Sequence, residues 1–144
     1  MDLPEYITQQ EVKRVCKQLN LKDWTKLTTP DVMTEEADII LKQVNTSGMD
    51  IAIEDFRLGL EVELEHGTRF PDANVTNNHP VLTGKIVLAH LKETLDYYKR
   101  LDVVELEGDL LHAILAKDMD KIQSKFKKLV TAQMVLASCL KQQL

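Results

Sequence analysis

The chain is short of the residues that punctuate sheets and loops. Five glycines and four prolines in 144 residues, with few β-branched runs, argue against a many-stranded sheet and for helices. Only two cysteines are present, Cys16 and Cys139, far apart and on periodic apolar positions. They read as buried free thiols, with nothing that calls for a disulfide framework. No stretch approaches the roughly 18 apolar residues of a membrane span. The acidic start Met1-Asp2-Leu3-Pro4-Glu5 has no apolar run behind it, so no signal peptide, no membrane partner and a cytoplasmic location are expected. An excess of basic residues is missing too. The net charge is −5, and because affinity for nucleic acid comes largely from Lys and Arg on phosphates, no nucleic acid partner is expected. Absent as well are a Ser/His/Asp order, a glycine-rich phosphate loop and a Cys-x-x-Cys zinc spacing.

What remains is 44% apolar and 28% charged, a globular balance in a chain long enough to bury a core. One domain over residues 1–144 is expected: all-α, an irregular bundle of five or six helices. Thr8-Gln9-Gln10-Glu11 has capping-box spacing and leads into Val12, Val15, Cys16 and Leu19, with Asn20 as the stop. Leu21, Trp24 and Leu27 anchor a short segment. Thr34-Glu35-Glu36 opens a second helix carrying Ala37, Ile40, Leu41 and Val44, closed by Thr46-Ser47-Gly48.

Residues 58–64 alternate apolar and polar, as a strand would. Against that, Ile53, Phe56, Leu60, Leu64 and Gly67 form a longer helical stripe, so residues 51–66 are predicted as a helix with Gly67 as its C-cap. Leu58 and Val62 fall opposite the stripe. A helix apolar on two faces is central in a bundle or buried between subunits, so a homodimer is a possible assembly. Residues 67–78 read as a loop. Pro80 starts a helix expected to run to Glu105 and to pair antiparallel with the previous one. Gly108 is read as an interruption. Asp118 caps a last helix with Met119, Ile122, Phe126, Leu129, Val130, Leu136, Ala137 and Leu140 on one face; Lys121, Lys125, Lys127 and Lys128 occupy the other.

The strings Glu61-Val62-Glu63-Leu64-Glu65-His66-Gly67-Thr68, Asn74-Val75-Thr76, Pro80-Val81-Leu82-Thr83-Gly84-Lys85-Ile86, His90-Leu91-Lys92-Glu93 and Asp96-Tyr97-Tyr98-Lys99-Arg100-Leu101 resemble a small family of bacterial and phage proteins with no assigned activity. The resemblance covers roughly residues 56–101, with a looser echo in the first helix and at Trp24. Residues 109–144 read as a C-terminal helical extension. Members of that family commonly have proline where this chain has Leu95, which implies a straighter helix here.

One constellation could carry chemistry. Glu63-x-x-His66 and His90-x-x-Glu93 are i, i+3 pairs of the kind that carboxylate-bridged metal bundles use, and on adjacent helices the four side chains could converge. Two imidazoles and two carboxylates suit a divalent metal, Fe, Mn or Zn. Only Glu61, Glu65 or Asp96 could extend the set to a di-metal site, each from a different face, so a mononuclear site fits better. The alternatives are a buried hydrogen-bonded cluster that fixes helix register, or an acid–base or organic-ligand site. Glu61 and Glu65 read as a solvated edge, and His79 and His112 carry no assigned role. Taken together, these features describe a helical domain serving as a non-catalytic interaction or structural module; the alternative is a metal- or small-ligand-binding bundle with a His/Glu site, to which enzymatic activity would be open.

Overall fold

A computed structural model describes residues 4–142. Six α-helices and two short 3-10 turns make up the ordered structure, and no strand occurs among the described residues. The chain divides into two compact units, the first ending at Leu95 and the second beginning at Asp96.

In the first unit, α1 (Gln9–Gln18) starts where the Thr8 hydroxyl accepts the Glu11 N–H at 3.2 Å. Its Val12, Val15 and Cys16 are buried. The Glu11 carboxylate, read as the reciprocal half of a capping box, instead takes the Arg14 guanidinium in two bonds of 2.6 and 2.7 Å. Asn20, with a left-handed φ of 55°, ends the segment, a conformation asparagine tolerates better than most residues. A 3-10 turn, Trp24–Lys26, buries Trp24 completely. Then come α2 (Thr34–Val44), α3 (Ile53–Arg69), a 3-10 turn at Pro71–Ala73, and α4 (Pro80–Glu93). The helices α2, α3 and α4 pack on one another, and α1 packs on α4. Phe56, Leu60 and Leu64, the core of the stripe, are fully inside, each contributing roughly 1.5–3 kcal/mol by leaving water.

Gly67 does not cap α3. The helix runs one more turn to Arg69, and the Phe70 N–H closes it on the His66 carbonyl at 2.9 Å. Glycine at 67 leaves room for two asparagine side chains: an added Cβ would stand 2.0 Å from Asn78 Oδ1 and 2.8 Å from Asn74 Nδ2, and both would have to shift. The expected loop is correspondingly shorter and is organised by asparagines. Asn74 donates to Asn78 Oδ1 at 3.0 Å, while Asn77 donates to the Glu5 carboxylate and the Ile7 carbonyl, both at 2.6 Å.

The helix expected over residues 80–105 is two helices. Its apolar periodicity continues across the break, which is why pattern alone joined them. The β-branched Thr94 turns extended, with φ −160° and ψ 138°, and Asp96, a residue that favours helix starts over helix interiors, becomes the N-cap of α5 (Tyr97–Leu115). The fully buried Asp96 carboxylate accepts both arms of Arg100 at 2.9 Å. So the helix breaks at this point without a proline. Gly108 in turn lies inside α5 and does not interrupt it; a single glycine costs a helix only about 1 kcal/mol.

The second unit is a hairpin of α5 and α6 (Met119–Gln142). Lys117 turns the corner with φ 55°, and Asp118 accepts the Lys121 N–H at 3.1 Å as the expected cap. Leu106, Leu129 and Ala132 form its core, with Val103 and Leu110 packed against them. The Asp109 carboxylate and the Lys125 ammonium bridge the two helices.

Candidate functional site

Glu63 and His66 stand one turn apart near the end of α3, and α4 brings His90 to the same place. Glu63 is the hub. Its Oε1 lies 3.6 Å from His90 Nε2 and its Oε2 3.8 Å from His66 Nδ1. The Glu63 side chain is 15% exposed, His90 30% and His66 64%. The structure thus joins three of the four expected residues. Glu93, on the last turn of α4, is exposed and makes no hydrogen bond or ion pair with them.

Each of the carboxylates that could have extended the set is paired elsewhere. Glu61 accepts the Arg57 guanidinium at 2.6 Å and the Val32 N–H at 3.2 Å, tying α3 to the start of α2. Glu65 is paired with Arg69, and Asp96 with Arg100. Among the described residues no group of three or more His, Cys, Asp and Glu is placed to hold a metal ion. What the geometry does provide is a carboxylate between two imidazoles, one on its own helix and one across on α4.

Beside Glu63 and His66 lies an open groove of about 330 Å³. Gly67 forms part of its wall, the 3-10 turn and following loop supply Phe70, Ala73, Asn74, Val75 and Thr76, and α4 supplies Ile86. Arg69 lies over the Phe70 ring, 5.5 Å from its centroid. No pattern in the sequence marks this groove, because its wall is a loop folded back over a helix end.

Two further polar centres escaped sequence reasoning. Glu36 is buried and accepts three N–H groups, from Lys22 at 3.1 Å, Trp24 Nε1 at 3.3 Å and Met33 at 3.2 Å, with the Lys22 ammonium at 3.2 Å. Its position three residues past the N-cap was the available signal. His79, expected to be idle, is buried as the N-cap of α4, its Nδ1 accepting the Leu82 N–H at 3.3 Å. Burial depresses its pKa below 6.5, helped by Arg14 and opposed by a backbone hydrogen bond and by Glu11. Cys16, a buried thiol, is pushed above its usual pKa of 9.0 by desolvation, which leaves it unreactive.

An all-α chain with a packed four-helix unit and one Glu–His cluster defines a class but no chemistry. The chain belongs to the protein family of unknown function DUF5661, which matches residues 12–107. The match takes in all of the Glu63–His66–His90 cluster and ends inside α5, so α6 lies outside it. No curated protein and no solved structure matches the chain.

Proposed function

We propose that the chain is a non-catalytic self-association module: a second copy covers the C-terminal hairpin, and the Glu63–His66–His90 cluster is a structural tie in the other unit. The observation that carries this reading is that α5 is apolar on two opposite sides. Val103, Leu106, Leu110 and Ala113 recur with 3-4 spacing on the side of the hairpin core. Leu101, Val104, Gly108, Leu111 and Leu115 repeat the spacing on the other side, where Val104, Leu111 and Leu115 are exposed. A heptad stripe left in water is a seam for another helix. No atom lies within 4 Å of where a Cβ on Gly108 would sit, so a partner backbone can approach closely there.

The hairpin itself carries the complementary surface. On α6, Phe126, Val130 and Met134 are exposed. The acids Asp102 and Glu107 on α5 face a counterpart in Lys127, Lys128 and Lys141 on α6, while Asp109 and Lys125 pair within the hairpin. Docking α5 of one copy on α6 of the next therefore pairs acid with base while burying both apolar stripes, in a closed two-fold arrangement. On these two stripes six large apolar side chains, Val104, Leu111, Leu115, Phe126, Val130 and Met134, are left exposed. Cys16 and Cys139, neither of them in a disulfide, suit a reducing, cytoplasmic setting.

Light scattering and sedimentation across the micromolar range test the reading. A dimer is expected, converted to a monomer by Val104→Lys/Leu111→Lys with the helical circular dichroism retained. A wild-type chain that stays monomeric throughout, or a double variant that still dimerises, overturns it. For the cluster, elemental analysis of untagged protein is the test; one Fe, Mn or Zn per chain, lost in His66→Ala and His90→Ala, would replace the structural tie with a metal centre.

A further inference from the structure

Three of the exposed large apolar residues of the first unit, Phe70, Val75 and Ile86, gather around one concavity, the groove of about 330 Å³ beside Glu63. Elsewhere in that unit, among the described residues, large exposed apolar side chains such as Tyr6 and Met33 contribute nothing to its wall. The volume is that of a site for a small organic molecule, and an apolar wall with a few polar groups converging at one end is the usual make-up of such a site. At the polar end stand Glu63 and His66, with His90 behind the same carboxylate. Asn74 and Thr76 add an amide and a hydroxyl to the rim.

The charge of the lining selects the ligand. Glu63 is the formally charged acid in it, and no Lys or Arg lines it. A carboxylate in a mostly apolar surround attracts a cation and repels an anion, and both effects grow where water is thinned. Gly67 keeps the helix side of the groove free of a Cβ. From this convergence we infer that the groove binds a small amphipathic amine, its ammonium on the Glu63 carboxylate and its apolar body against Phe70, Val75 and Ile86. The site lies wholly within the first unit and stands or falls independently of self-association.

Backbone amide NMR shifts of the full-length protein titrated with 2-phenylethylamine test it, with phenylacetate as the charge-reversed probe of the same shape. Saturable shifts confined to Glu63–Thr76 and the first turns of α4 are expected with the amine, and none with the acid. Glu63→Gln should abolish the preference for the amine. Val75→Lys, at a strongly exposed position and therefore without risk to folding, should weaken the amine about tenfold, the equivalent of one lost aliphatic contact. Absence of saturable shifts at millimolar amine overturns the inference. So do shifts outside the groove, equal binding of phenylacetate, or a Val75→Lys variant that binds as well as wild type.

Discussion

The two units of this chain treat their apolar residues in opposite ways. In the first, Val12, Trp24, Ile40, Phe56, Leu60, Leu64, Val87 and Leu91 are removed from water almost completely. In the hairpin the inward side chains Leu106, Leu129 and Ala132 keep 8–9% of their surface exposed, and large apolar groups outside them remain in water. The difference is one of layer number. Helices packed from several directions can enclose a side chain on all sides, whereas two helices side by side offer each other one stripe and leave the flanks open. The lesson is that similar helical patterns have different meanings: in the first unit the stripes close a core from several directions, and in the hairpin they meet along one line.

The sharpest way to break that comparison is to truncate one stripe residue in each unit. Leu60→Ala, in the closed core, should cost roughly 3–4 kcal/mol because the cavity cannot collapse. Leu111→Ala, on the open stripe, should change monomer stability by no more than about 0.5 kcal/mol. Urea unfolding monitored by circular dichroism measures both, and equal losses would mean that the hairpin is as closed as the first unit.

Next in size is Gly84→Ala on α4. A Cβ there would stand 2.6 Å from Ile40 Cγ2 and 3.4 Å from Phe56 and Val44. In a packed interior that overfilling should cost about 1–3 kcal/mol despite alanine's better helix propensity. Gly108→Ala, in the open hairpin, meets nothing within 4 Å and should instead stabilise the monomer by up to about 1 kcal/mol. The pair of denaturation midpoints should therefore move in opposite directions, and a shared direction would refute the contrast in packing.

A third test uses pH. His79 is held neutral in the folded state because burial lowers its pKa below 6.5, and its Nδ1 can accept the Leu82 N–H only when unprotonated. The unfolded chain binds the proton first as pH falls through about 6.5, so stability rises with pH below that value and is insensitive to this group above it. Acidification from neutrality toward the depressed folded pKa should weaken the first unit. His79→Asn, which keeps a capping acceptor without the titration, should flatten that part of the profile. An unchanged profile in the variant would remove His79 as its source.

The smallest effect is expected at the hairpin corner. Lys117 holds φ 55°, a conformation that glycine enters without a Cβ penalty. Lys117→Gly should stabilise by at most about 1 kcal/mol, offset in part by the extra freedom of the unfolded chain. A clear loss of stability would show that the lysine side chain has a role of its own at this corner.

Much of the architecture was legible in the residues themselves. Thr8 and Asp118 as caps, Pro80 at the start of α4, and the stripe of Phe56, Leu60 and Leu64 are local or periodic signals. They depend on backbone geometry within a few residues, which composition and spacing report directly. The expected family resemblance lay in contiguous strings over residues 56–101, and the family model matches residues 12–107. Breaks in helices were harder to see. Residues 80–115 keep an apolar period through Thr94 and Asp96, where the chain turns and Asp96 is buried against Arg100.

The candidate site divides in the same way. Sequence spacing alone put Glu63 one turn from His66 and made His90 a reasonable partner, because i and i+3 share a helix face. That Glu63 would stand between both imidazoles while Glu93 stayed in water depended on how α3 crosses α4, and crossing geometry is set by all the side chains at the contact. The groove, the burial of Glu36 against Trp24, and the role of His79 are likewise products of packing. They arise where segments distant in the chain meet, and a linear pattern carries no record of which distant segment arrives. The sequence therefore determined the helices and most of their faces, while tertiary structure decided which faces were closed, which polar residues met, and which apolar stripe was left in water.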